Sequence, residues 1–108
     1  MAKELSTSPT LKDLQEHIKN ICCERGWDKN SNFETFLLFA EEFGELAEAI
    51  REVEGLYTKG DDKEEARSEL EGEMADVLNY LLDLANRFDV DLEKAYRDKF
   101  RKNEKRVW

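Results

Sequence analysis

After Pro9 no second proline interrupts the chain, and its apolar residues recur three and four positions apart instead of alternating. That period belongs to the α-helix, and it fixes the fold class as all-α before any other feature is weighed. Leu11, Leu14, Ile18, Ile21 and Cys22 mark a first helix from about Thr10 to Glu24. Thr10 with Asp13 opens it in the pattern of a capping box, and Arg25-Gly26 closes it. Ser31 and Glu34 repeat the opening signal for a second helix, Asn32 to Glu54, with Phe36, Leu37, Ala40, Phe43, Ala47 and Ile50 along one side. Gly44 lies inside this helix at a cost of about 1 kcal/mol relative to Ala. It suggests that a neighbouring helix or a ligand comes close to the backbone there.

Gly55 to Asp62 reads as a connecting loop, and the charged stretch from Lys63 to Glu71 leads into a third helix reaching about Phe88. Leu70, Met74, Val77, Leu78, Leu81, Leu82 and Ala85 give that helix an apolar face wider than a surface stripe, so it is expected to be the most buried element. Asp91 caps a fourth helix, from Leu92 to near Arg106, with Ala95, Tyr96 and Phe100 inward. Residues 1–9 form a loose arm and residues 10–108 one helical domain, a bundle of four or five helices. Of the 108 residues 40% are charged, which leaves a thin core. Helices of so small a domain are expected to complete their burial against a second subunit, as a homodimer or homotetramer.

The net charge of −9 argues against nucleic acid or an anionic membrane as partner. The charge is uneven: Lys94 to Arg106 holds seven basic residues against two acids. That basic end is either a solvated helix face or a source of cations for an anionic substrate. Cys22 and Cys23 are neighbours on a helix, point about 100° apart, and read as reduced thiols of a cytoplasmic protein. With His17 as the single histidine, the chain lacks the ligands of a zinc site. No signal peptide or membrane-spanning run is expected.

Against this background two carboxylate pairs stand out, Glu42 with Glu45 and Glu73 with Asp76, each spaced by three on a helix. Such pairs arise freely on solvated faces, but these two lie among apolar residues: Phe43 beside Glu42, and Ala75 and Val77 around Asp76. Glu41, Glu48, Glu52 and Glu71 have no such setting. If the second and third helices pack together, four carboxylates converge, and only a cation makes that tolerable. An all-oxygen set with no imidazole at the three-residue spacing favours Mg²⁺, with Mn²⁺ as a substitute, over iron.

The segment Glu41-Glu42-Phe43-Gly44-Glu45 followed by Glu73 to Asp76 resembles the signature of the MazG-like all-α nucleotide pyrophosphohydrolases. Arg25-Gly26-Trp27-Asp28, Gly44-Glu45-Leu46-Ala47-Glu48, Ala75-Asp76-Val77-Leu78 and Lys99…Asn103…Arg106 extend the likeness over roughly residues 11–107. The resemblance implies Mg²⁺-dependent hydrolysis of a nucleoside triphosphate to monophosphate and pyrophosphate, the ion held by Glu42, Glu45, Glu73 and Asp76. It also implies a homo-oligomer and a role in clearing surplus or noncanonical nucleotides.

A divalent ion reverses the local sign for a triphosphate, and charge building on the leaving pyrophosphate needs a cation. Lys99 and Arg106, with Asn103 as a neutral donor, are the candidates on the basic fourth helix. Glu45, with Glu42 beside it, is the candidate to activate water. Trp27, an aromatic in a polar loop, is the candidate to stack on a base. Asn79 is placed to read base or sugar and Tyr80 to touch phosphate, both on the side of the third helix that carries Asp76. Two alternatives share the sequence: a phosphoribosyl-ATP pyrophosphohydrolase, and a non-catalytic helical interaction module.

Overall fold

The computed structural model describes residues 4–56 and 62–106. Parts of the N-terminal arm and of the loop after Gly55 therefore lie outside the described residues. Four helices follow in order: α1 (Leu11–Glu24), α2 (Asn32–Glu54), α3 (Lys63–Arg87) and α4 (Leu92–Glu104), with a short 3₁₀ turn at Trp27–Lys29. There is no strand among the described residues, and the all-α class holds. None of these helices is long and apolar enough to cross a membrane.

Local chemistry sets the ends. The Thr10 hydroxyl accepts from the Asp13 N–H at 3.1 Å, and the Asp13 carboxylate accepts from the Thr10 N–H at 2.9 Å. Ser31 and Glu34 exchange the same pair of bonds at 3.0 and 2.9 Å. Both capping boxes thus satisfy donors that a helix start leaves orphaned. Asp91 caps α4 through the Lys94 N–H at 3.1 Å. At the other end of α2, Gly55 takes φ +75°, and Leu56 N–H reaches back to the Arg51 carbonyl, a Schellman closure. The α3–α4 corner closes the same way, Val90 N–H bonding the Ala85 carbonyl at 2.8 Å, but with Asp89 at φ +53° where glycine is usual.

The chain divides into two compact units, Met1–Asn30 with Leu82–Trp108, and Ser31–Leu81. In the first, Ile18, Cys22 and Leu82 form the buried cluster, with Leu11, Leu14 and Leu92 packed against it. Gln15 is buried beside them and ties α1 to the α3–α4 corner. Its amide donates to Asn86 Oδ1 and the Val90 carbonyl, and its Oε1 accepts from Leu92 N–H at 2.8 Å. In the second unit Phe39 and Ala49 are buried, with Thr35 returning its hydroxyl to the Ser31 carbonyl.

Periodicity located the apolar face of α1, but on α2 Ala40 and Ala47 are exposed with the rest of the expected inner side, and Thr35, Phe39 and Ala49 are buried instead. The broad face of α3 is not the most buried surface: Leu82 and Ala85 are inside, while Met74, Leu78 and Leu81 are exposed. Ala95, Tyr96 (71% exposed) and Phe100 are not inward either. Phe36, Leu37, Phe43 and Ile50 on α2 also face outward. A single chain with so few apolar residues cannot cover every amphipathic face it makes.

Both cysteines are free thiols, Cys22 buried and Cys23 exposed. Burial, followed by the negative charge of Asp83, pushes Cys22 up to about 11 against the opposing pull of Arg87. Because the thiolate is the reactive form, Cys22 in the folded protein is expected to react with a thiol reagent at pH 8 on the order of a hundredfold more slowly than Cys23. Timed alkylation with peptide mapping checks this, and denaturant should abolish the difference.

Candidate functional site

α2 and the first part of α3 belong to the same unit, and each contributes an E-x-x-E/D pair. The three-residue spacing puts each pair about one turn apart on its helix. Carboxylate oxygens of Glu42, Glu73 and Asp76 come together, all within 4.8 Å of one another. Glu42 and Glu73 are half-buried and Asp76 is exposed, so the cluster opens to solvent on the Asp76 side. Glu45 lies outside this group of three, although its charge still acts on Glu42. Glu41 is exposed, and Glu71 faces Arg67 at 3.8 Å on the surface, where such pairs contribute little.

The electrostatics of the cluster are unfavourable as it stands. Glu42 is pushed up to about 7, first by burial, then by the approach of the Glu73 carboxyl and the charge of Glu45. Glu42 Oε2 and Glu73 Oε2 are both buried without a hydrogen-bond partner. Orphaned, mutually repelling oxygens within ligand reach fit a hard divalent cation, which prefers several oxygen ligands. Glu42, Glu73 and Asp76 are the residues that can hold it.

Gly44 sits on α2 between Glu42 and Glu45, and a Cβ added there meets nothing within 4 Å. No neighbouring helix of the described chain makes the close approach expected from the sequence. Replacing it by alanine is therefore expected to stabilise the fold by roughly 0.5–1 kcal/mol through helix propensity alone. A thermal melt measures this, and a lower melting temperature would show that something outside the described residues fills the space.

Tyr80 packs its ring on Phe39 with centroids 6.2 Å apart, and Phe39 in turn meets Phe43 at 4.8 Å. Asn79 is exposed on the same helix. In the other unit, Trp27 is 47% exposed with the Arg25 guanidinium 5.0 Å from its ring centre. Lys99 is exposed on α4, and Asn103 has a buried Oδ1 with no hydrogen-bond partner. Arg106 lies beyond the end of α4, its N–H bonded to the Asn103 carbonyl, so it does not continue the Lys99–Asn103 helix face. Two polar residues escaped sequence reasoning, Gln15 and Arg87, because the groups they bond are remote in the chain.

A profile of the MazG nucleotide pyrophosphohydrolase domain matches residues 31–108, which include all of the clustered acids. The chain belongs to the MazG family. YvdC of Bacillus subtilis (strain 168) is 35% identical to this MazG chain over 99 residues, 85% of the chain and 93% of YvdC. dCTP pyrophosphatase 1 of Rattus norvegicus is 35% identical over 105 residues, and that of Homo sapiens 34% over 103. Each alignment covers 94% of this chain, which spans 61% of the length of either mammalian protein.

Proposed function

We propose that this chain hydrolyses a deoxynucleoside triphosphate between the α- and β-phosphates, releasing monophosphate and pyrophosphate, with dCTP as the leading substrate. The observation that carries the reading is the convergence of Glu42, Glu73 and Asp76 within 4.8 Å on a MazG-family scaffold. The likeness to dCTP pyrophosphatase 1 supports the choice of nucleotide. Mg²⁺, or Mn²⁺ in its place, supplies positive charge against the triphosphate and polarises the phosphorus under attack.

The protein's own groups divide the remaining work. Glu42, Glu73 and Asp76 hold the ion. Glu45, one turn from Glu42 but outside the group of three, is the carboxylate free to take a proton from the attacking water. Lys99, Asn103 and Arg106 steady the leaving pyrophosphate, Trp27 stacks on the base, and Asn79 and Tyr80 contact the rest of the nucleotide. Exposed apolar residues on α2, α3 and α4 are covered in a homo-oligomer, which light scattering checks directly. Two free thiols fit a reducing, cytoplasmic setting.

The test is pyrophosphate release with Mg²⁺ from a panel of dCTP, CTP, dTTP, dUTP, ATP and phosphoribosyl-ATP. The expected result is turnover of dCTP above the others and none without divalent metal. Turnover confined to phosphoribosyl-ATP would move the chain to histidine biosynthesis, and no turnover of any compound would favour a non-catalytic helical module.

A further inference from the structure

The turn between α1 and α2 is held by one side chain from the far end of α3. Arg87 donates Nη2–H to the Trp27 carbonyl at 2.9 Å and Nη1–H to the Asn30 carbonyl, while its Nε–H goes to Asp83 Oδ1 at 3.0 Å. The Arg87 and Asp83 side chains are only 10% and 16% exposed. A planar guanidinium serves such spread acceptors at once, which an ammonium cannot do in the same geometry. The two carbonyls bracket the 3₁₀ turn, so its backbone is tied at the residue that carries the indole and again where the chain leaves for α2.

The indole is fixed from a second direction. The Arg25 guanidinium lies over the Trp27 ring at 5.0 Å, a cation–π contact that occupies one face, yet nearly half of the residue stays exposed. A large aromatic held at its backbone and covered on one side has lost part of the freedom that binding would otherwise remove. With Arg25 over one face, the opposite face is the one on which a nucleobase could stack.

We infer that Arg87 is a positioning residue: through the Trp27 and Asn30 carbonyls it presents the Trp27 indole as a preformed, one-faced platform for the nucleobase of the substrate. The inference rests on the reading above that Trp27 stacks on the base. Its effect is on binding, because the clamp acts on the platform and not on the acids of α2 and α3.

The experiment uses the full chain carrying Trp108→Phe, so that Trp27 is the single tryptophan. Binding of dCMP is read from quenching of Trp27 fluorescence, and order of the turn from acrylamide quenching without nucleotide. Arg87→Lys keeps the charge facing Asp83 but gives up the fork. It is expected to weaken dCMP binding and raise KM for dCTP by roughly tenfold, with kcat changed by less than about threefold. Acrylamide quenching should rise, and Mn²⁺ binding should stay at the parent value.

Unchanged dCMP binding and quenching in Arg87→Lys overturn the inference, as does a fall in kcat at constant KM. If Arg87→Lys does not fold, the isosteric Asp83→Asn, which loosens the same guanidinium, must move both readouts in the same direction, and no movement overturns it. Trp27→Leu separates this inference from the reading beneath it. A raised KM in Trp27→Leu with no effect in Arg87→Lys removes the positioning role alone. No effect of Trp27→Leu on KM removes the stacking and the positioning together. Intact dCMP binding without pyrophosphate release from dCTP sinks the proposed reaction and leaves the platform standing.

Discussion

Glu73→Ala is expected to lower kcat/KM for pyrophosphate release by roughly a hundred- to a thousandfold, the scale on which removing a group that stabilises transition-state charge acts. Glu73 is half-buried on α3, with an oxygen within 4.8 Å of carboxylates from Glu42 and Asp76, and its Oε2 finds no hydrogen-bond partner. On the proposed reading its removal takes away a ligand, and the remaining two acids would hold an ion less well. The loss should not come from unfolding. A variant lacking one of several crowded like charges is expected to melt no lower than the parent when metal is absent. Steady-state pyrophosphate assays beside thermal melts give both numbers, and a variant retaining a tenth of parental kcat/KM would remove Glu73 from the machinery.

The second large effect is on stability, and its sign depends on whether metal is present. Without metal, Glu42 titrates near 7 in the folded protein against 4.5 for an unperturbed carboxyl. Between those values the folded chain keeps a proton that the unfolded chain has lost. The contribution of Glu42 is therefore fully present below about 4.5 and is lost as pH rises through about 7. The metal-free protein is expected to melt lower at pH 8 than at pH 5.5 by a margin that Glu42→Gln reduces.

Magnesium reverses this trend. Binding needs the deprotonated carboxylates, so its stabilisation grows with pH. At a concentration about 100 times Kd it amounts to roughly 2.7 kcal/mol, or about 10 °C or more in melting temperature for a chain of this size. Scanning calorimetry at pH 5.5 and pH 8, with EDTA and with Mg²⁺, reads all four corners. Parallel pH profiles with and without Mg²⁺ would show that Glu42 does not meet the ion.

The helix starts were legible because they are local: Thr10 with Asp13, Ser31 with Glu34 and Asp91 with the Lys94 N–H all settle within one turn. The three-residue spacing of the acids is local in the same way and puts each pair on a common side of its helix. Selection among those acids was not legible. Glu45 matches the spacing, yet the grouped carboxylates are Glu42, Glu73 and Asp76, because the packing of α2 on α3 decides which oxygens meet. Phe39 and Phe43 share a stripe, and only Phe39 is buried. Gln15 and Arg87 were invisible because the carbonyls and amides they bond lie up to 77 and 60 residues away. A polar residue on an amphipathic helix looks solvated until its distant partner is known.

The most direct test is a Mn²⁺ titration followed by electron paramagnetic resonance, comparing wild type with the double variant Glu42→Gln/Glu73→Gln. Wild type should take up Mn²⁺ and release it to excess Mg²⁺, and the folded double variant should leave the free-ion signal undiminished. Equal uptake by both proteins, or none by either, would contradict the claim that these acids converge in order to hold a divalent ion.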